Sequence, residues 1–320
     1  MPDQLLRDVR RRTGFALIAV LALGGLLGAC DPDPAREEAG VTDGLLVLAG
    51  DVGATALELR ESGTAGARSI PLPADATTWV SAGRTNVLVA TMIDGRTYVS
   101  DPLGEDDPTW RLVEPVTVND VPPELPLYFA TWDPPGGAYA QLGADFTAGT
   151  GMRVVVTDPA LGGASEAPID DRRPIAAPPA WIDDDRVVVV AGTDDGGEAL
   201  VVDTTSGEIA GGPAGVRLVT TSAEAATLAQ WRGGDAPVEV LETRAWLEGG
   251  QASVRIDAPS AGLVPAVLAL DRSGDRLAIV WTEPDGGSPR VTVSARSREW
   301  ATAASFELGD ARAASVAWLR

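Results

Sequence analysis

From Gly44 onward, short runs of Val, Leu, Ile and Thr alternate with Gly, Pro and Asp clusters, and a 3.6-residue apolar period is almost absent. That pattern predicts strands joined by tight turns rather than helices. The runs recur. Aligning them on Trp79, Trp132, Trp181, Thr220, Leu270 and Trp318 gives a repeat of about 48 residues, the size of a four-stranded propeller blade. After each aligned turn comes a second strand, at Asn86–Ile93, Ala138–Ala144, Arg186–Gly192, Ala226–Trp231 and Arg276–Glu283. A third follows at Arg96–Pro102, Met152–Pro159, Glu198–Thr204, Val238–Arg244 and Arg290–Arg296. Fourth strands are expected at Trp110–Val116, Ala252–Pro259 and Ala303–Asp310, with weaker signals around Ala167–Asp171 and Gly207–Ala210.

The ends fix the blade count. Ala313–Arg320 supplies one strand of a unit, and Gly44–Gly50, Ala56–Ser62 and Ala67–Pro73 supply the other three. Joined, they complete a sixth blade and leave no open sheet edge around the ring. The expected fold is therefore all-β, a six-bladed β-propeller over residues 44–320 closed by its N- and C-terminal strands. Trp79, Trp132, Trp181 and Trp318 are expected to share one phase and to pack between adjacent blades. Trp110, Trp231, Trp246 and Trp300 fall out of that phase and are candidates for exposed interface anchors.

The repeat unit resembles a known family. Leu270-Asp-Arg-Ser-Gly-Asp-Arg-Leu-Ala-Ile-Val-Trp281 is similar to the strand-turn-strand motif of TolB-type, WD-repeat-like bacterial propellers, and Trp132-Asp-Pro-Pro-Gly-Gly is a second, degenerate copy. The Gly-His and Trp-Asp pairs of true WD repeats are missing. The resemblance implies the propeller architecture and a protein-interaction or envelope scaffold; it says almost nothing about activity.

Ahead of the repeats stands an export signal. Arg7, Arg10, Arg11 and Arg12 precede an apolar run from Phe15 to Leu27, too short for a permanent membrane span. Leu27-Gly28-Ala29-Cys30 then resembles a bacterial lipoprotein box. The reading is a signal peptide at 1–29, a diacylated Cys30 as mature N-terminus, and a flexible acidic tether over 30–43. Cys30 is the single cysteine, so no intramolecular disulfide forms. The acyl chains, palmitate among them, are expected to hold the body on the extracytoplasmic face of the cell membrane.

Charge narrows the partners. The 320 residues carry 46 acidic against 25 basic side chains, a net charge of −21. The first 29 residues hold four arginines and two acids, so cleavage makes the body more acidic still. Nucleic acid is an improbable partner for such a surface, and acyl chains rather than charge must supply membrane affinity. Histidine is absent and every basic residue is arginine. No His-based triad, lysine Schiff base or P-loop can be built. Asp183-Asp184-Asp185 invites a metal reading, but its phase makes it a solvated hairpin turn, and no metal or cofactor is expected.

The functional expectation is a non-catalytic scaffold that binds an envelope protein or small ligand. The alternative is an envelope hydrolase with a carboxylate pair near the channel. What separates them is whether the channel mouth gathers carboxylates with an arginine or only small apolar groups. Topology places the tether and the turns after Trp132, Trp181 and Leu270 on one face. The binding loops are expected on the opposite face, where Asp194, Asp195, Asp235 and Asp285 would form an acidic rim for a basic partner.

Overall fold

A computed structural model describes residues 41–319, apart from 52–53, 61–66, 76, 115–124, 161–162, 170–172, 194–195 and 285–286. The expected signal peptide, Cys30 and residues 31–40 lie outside the described residues. Six antiparallel sheets succeed one another along the chain. The first contains β1 (Leu45–Asp51), β2 (Ala54–Arg60) and β3 (Ala67–Ile70). Blade 2 is β4 (Thr77–Ala82), β5 (Val87–Met92), β6 (Thr97–Pro102) and β7 (Trp110–Val113). Blade 3 is β8 (Leu127–Trp132), β9 (Tyr139–Asp145), β10 (Thr150–Asp158) and β11 (Gly163–Pro168). In blade 4, β12 (Arg173–Pro174) and β13 (Ala180–Trp181) both pair with β14 (Arg186–Thr193), followed by β15 (Gly196–Asp203) and β16 (Ile209–Ala214). Its inner strand is broken because Pro174, Pro178 and Pro179 lack the N–H a ladder needs.

Blade 5 is β17 (Leu218–Thr221), β18 (Thr227–Trp231), β19 (Val238–Glu242) and β20 (Val254–Ile256), with a five-residue helix α1 (Thr243–Leu247) after β19. No strand pattern announced this helix. It is pinned by Trp246, which is buried and donates its indole N–H to Gln230 Oε1 at 2.8 Å. Blade 6 is β21 (Val264–Leu270), β22 (Arg276–Thr282), β23 (Arg290–Ala295) and β24 (Thr302–Glu307). The chain then returns as β25 (Ala313–Trp318), which becomes the inner strand of the first sheet by pairing with β1, from Leu45 opposite Trp318 to Gly50 opposite Ala313. The fold is the expected six-bladed propeller, closed by its two termini.

The inner hairpins define the true phase of the repeat. Each begins with a backbone bond from Gly83, Asp133, Ile182, Ser222 or Asp271 N–H to the carbonyl of Val87, Ala138, Arg186, Thr227 or Arg276. Leu319 N–H to Gly44 O is the equivalent across the closure. The equivalent positions just before the turn are therefore Ala82, Trp132, Trp181, Thr221, Leu270 and Trp318. Trp79 stands three residues early and Thr220 one, so the expected shared phase of four tryptophans is corrected to three. The indole that drew the alignment in blade 2 occupies a different environment.

The expected tether also ends earlier than residue 43. Val41 and Thr42 are buried, and Val41 joins the core between blade 6 and the closing blade. Arg276 holds this segment: its Nη1 donates to Asp43 O at 3.0 Å and Val41 O at 3.3 Å, and its Nε to Asp271 Oδ2 at 2.8 Å. Its guanidinium also lies 4.3 Å from the Trp318 ring centroid, a cation–π contact across the closure.

Two stability outcomes follow from this closure. Trp318→Ala should cost about 3–5 kcal/mol in urea unfolding, because it empties a buried site and removes the N–H bond to Ala269 O. A chain starting at Gly44 should be about 1.5–3 kcal/mol less stable than one starting at residue 40, the worth of a buried valine side chain.

Candidate functional site

In each blade the inner strand pairs on one side only, so its other edge turns backbone groups toward the axis. Side chains from neighbouring blades satisfy several of them. Trp79 Nε1 and Ser81 Oγ donate to Ala130 O at 3.0 and 2.9 Å. Thr131 Oγ1 donates to Pro179 O, and Trp181 Nε1 returns a bond to Thr131 O, both at 3.0 Å. Thr221 Oγ1 donates to Trp181 O at 2.6 Å, and Trp318 Nε1 to Ala269 O at 2.9 Å.

These residues wall a small cavity of about 70 Å³ on the axis, to which all six inner strands contribute. It opens on the face where the chain enters at Gly44, called the near face below. Trp132, Trp181, Trp318, Pro134, Pro178 and Pro179 give it apolar walls, and Ser81, Thr131, Thr220, Thr221 and Ser222 add hydroxyls. No carboxylate or arginine is among the described residues that line it. Trp79 forms the floor, edge-on to Phe129 with centroids 5.6 Å apart and planes at 89°.

One polar group in this wall is unmet. Trp132 is 4% exposed, and its Nε1 has no hydrogen-bond partner, whereas the indoles of Trp181 and Trp318 are both bonded. Its ring is held by Gly83, where a Cβ would lie 3.2 Å away, and edge-on by Tyr139 at 5.5 Å. Burial pushes the Tyr139 hydroxyl well above its ordinary pKa, so it stays neutral beside the site. A buried donor without an acceptor is costly, of order 1–3 kcal/mol.

Above the cavity the near-face turns form a wider depression of about 300 Å³, lined by Arg84, Pro134, Pro135, Asp184, Ala223, Glu224 and Arg272. The turns of blades 2 and 3 meet closely there: Gly136 has φ +81°, and a Cβ on it would come 3.0 Å from that of Arg84. Arg272 Nε and Glu224 Oε1 are 3.7 Å apart on the exposed rim. Charge is thus confined to the rim while the floor is aromatic and proline-rich. The mouth does gather two carboxylates and two arginines, but outside the cavity and with Glu224 paired.

The sequence-predicted residues fare unevenly. Asp183 spends its carboxylate on its own turn: Oδ1 accepts from Arg186 N–H at 2.8 Å and Asp185 N–H at 3.1 Å, and Oδ2 from Arg186 Nε at 2.7 Å. That is the solvated hairpin turn expected. Among the described residues no group of three or more His, Cys, Asp or Glu is placed to hold a metal ion. Asp235 is exposed in the β18–β19 turn on the far face. Asp194, Asp195 and Asp285, like Cys30, lie outside the described residues. The out-of-phase tryptophans are not exposed anchors. Trp246 and Trp300 are buried, while Trp110 and Trp231 are half-buried and donate to Pro71 O and Ala236 O at 2.8 and 3.1 Å. Sequence reasoning missed Trp132 as a site residue; its signal was the Pro134-Pro135 pair directly after it.

No protein-family model matches the chain, and no curated protein matches it in sequence. Solved structures do. TolB from Acinetobacter baumannii superposes with TM-score 0.59 at 9% identity, over 86% of this chain and 66% of that one. Putative TolB from Agrobacterium tumefaciens gives 0.56 at 13%, over 86% and 98%, and the Myceliophteria thermophila Cps50 (Swd1) propeller domain 0.53 at 13%, over 85% and 84%. The fold is that of TolB-type and WD-repeat propellers. At such identities the TolB likeness establishes architecture alone.

Trp132→Phe should leave stability unchanged or raise it, because it deletes a donor that has no acceptor. Trp181→Phe should lose about 0.5–1.5 kcal/mol with its bond to Thr131 O. Equilibrium urea unfolding of the two variants side by side distinguishes them.

Proposed function

We propose that the protein is a non-catalytic scaffold of the cell envelope, anchored through lipid on Cys30, which captures a segment of a partner protein at the near mouth of the channel. The observation that carries this reading is the mouth itself: a wall of tryptophan, proline and hydroxyls with charge confined to the rim. The mixed-charge rim would orient the segment, and the aromatic wall would supply the apolar area that makes small interfaces strong. The TolB-like fold fits a binding role. The carboxylate-pair hydrolase has in its favour Asp184 and Glu224 beside Arg84 and Arg272 at the mouth; against it, Glu224 is 3.7 Å from Arg272 and no acid is among the described residues that line the cavity below.

Arg276 fixes residues 41–43 on the same face as the mouth.

Cys30→Ser should leave the propeller folded and shift it out of the membrane fraction, as read by fractionation and circular dichroism. A pull-down from envelope membranes with the acylated protein should recover a partner. Trp132→Phe together with Glu224→Arg should reduce that recovery at least tenfold, whereas Asp235→Asn should not. Undiminished recovery by the mouth variant would place capture elsewhere.

A further inference from the structure

Phe129 of β8 packs edge-on against Trp79 of blade 2, with centroids 5.6 Å apart, and against the core of blades 3 and 4. A bulge sets its position: the β8–β9 register shifts between Tyr128 and Thr131, and Phe129 has φ +56°. That conformation is an outlier for a bulky residue. Below it, toward the far face, three rings meet. Tyr128 and Phe146 lie 5.2 Å apart, and Phe129 and Phe146 6.5 Å. Phe146 is 37% exposed at the tip of the β9–β10 turn. The neighbouring β5–β6 turn abuts the same strand, since a Cβ on Gly95 would lie 3.0 Å from Leu127 N, and it carries Ile93 at 49% exposure.

We propose that this far-mouth aromatic shelf is a second docking site, for a cationic, apolar-flanked segment of a partner protein. Charge complementarity selects the occupant. Asp145 adjoins Phe146, and Asp94 adjoins Ile93 with Arg96 engaged on its own carboxylate at 2.7 Å, on a body of net charge −21. The chain elsewhere places guanidinium groups on ring faces, Arg60 on Phe306 at 3.6 Å and Arg276 on Trp318 at 4.3 Å. Among the described residues no arginine stacks on Tyr128, Phe129 or Phe146. Aromatic faces beside carboxylates recognise an arginine or lysine by ring quadrupole and charge together. Such a segment engages the far face, opposite the near mouth. This site stands independently of capture there.

The test uses the full chain and a synthetic dodecapeptide of alternating Arg and Leu carrying one benzoylphenylalanine, with a Glu-for-Arg peptide as control. Crosslinks mapped by mass spectrometry should concentrate on Tyr128, Phe146 and the β5–β6 turn, and the Glu peptide should give none. Phe146→Ala and Phe146→Leu should each weaken binding of the Arg peptide about five- to tenfold, with circular dichroism confirming the fold, while Trp132→Phe should leave it unchanged. Crosslinks spread over the acidic surface would overturn the proposal. So would full binding by Phe146→Leu, which would reduce the shelf to apolar area. A concentration-dependent dimer in sedimentation that Phe146→Ala abolishes would overturn it in favour of a second copy of this chain as occupant.

Discussion

Six inner strands that face an axis leave six backbone edges without a strand partner, and the organisation of this protein follows from how those edges are met. A buried carbonyl without a donor costs as much as a lost hydrogen bond. The donors come from side chains of the adjoining blade: Trp79 and Ser81 on Ala130 O, Thr131 on Pro179 O, Trp181 on Thr131 O, Thr221 on Trp181 O and Trp318 on Ala269 O. Tryptophan suits this role because one side chain both fills the wedge between twisted sheets and carries a donor at its rim. The same bonds tie blade to blade around much of the ring.

The mouth is a by-product of that arrangement. Where the indole reaches a carbonyl, as in Trp181 and Trp318, it is structural. Where the same phase places an indole with no carbonyl in reach, as in Trp132, a donor is left over. The proline pairs at 134–135 and 178–179 sharpen the contrast, since they bring apolar rings to the mouth and withhold N–H groups. Trp79 meets Phe129 edge-on below the near cavity, and Phe129 is held there in a strained conformation. A rigid ring can hold such strain, because the ladders of β8 with β9 on either side of the bulge over-determine the backbone.

Closure couples the segment just before β1 to the stability of the fold. Arg276 sits at the centre of it, with Asp271, the carbonyls of Val41 and Asp43, and the Trp318 ring all within its reach. Asp271 is the aspartate of the best-formed turn motif, and its Oδ1 also accepts from the N–H groups of Asp275 and Arg276. A single turn therefore organises blade 6, the first residues of the propeller and the returning strand β25.

Strand order, blade number and closure were legible in the chain because strand periodicity and turn residues are local signals repeated six times, and a partial unit at each end has one way to combine. The turn role of Asp183 was equally local. The phase of the tryptophans was not: Trp79 and Trp132 look alike in one dimension, and only hydrogen bonds across the turn show that Ala82, not Trp79, matches Trp132. Helix α1, the burial of Val41 and the place of Phe129 were also hidden, since each depends on contacts with residues remote in sequence: Gln230 for Trp246, blade 6 for Val41, and Trp79 for Phe129. Sequence set which residues form strands, through periods of two and the chemistry of turns; tertiary structure decided which of nine tryptophans brace the ring and which one keeps a donor unmet, because that turns on whether a carbonyl from another blade comes within about 3 Å of an indole nitrogen.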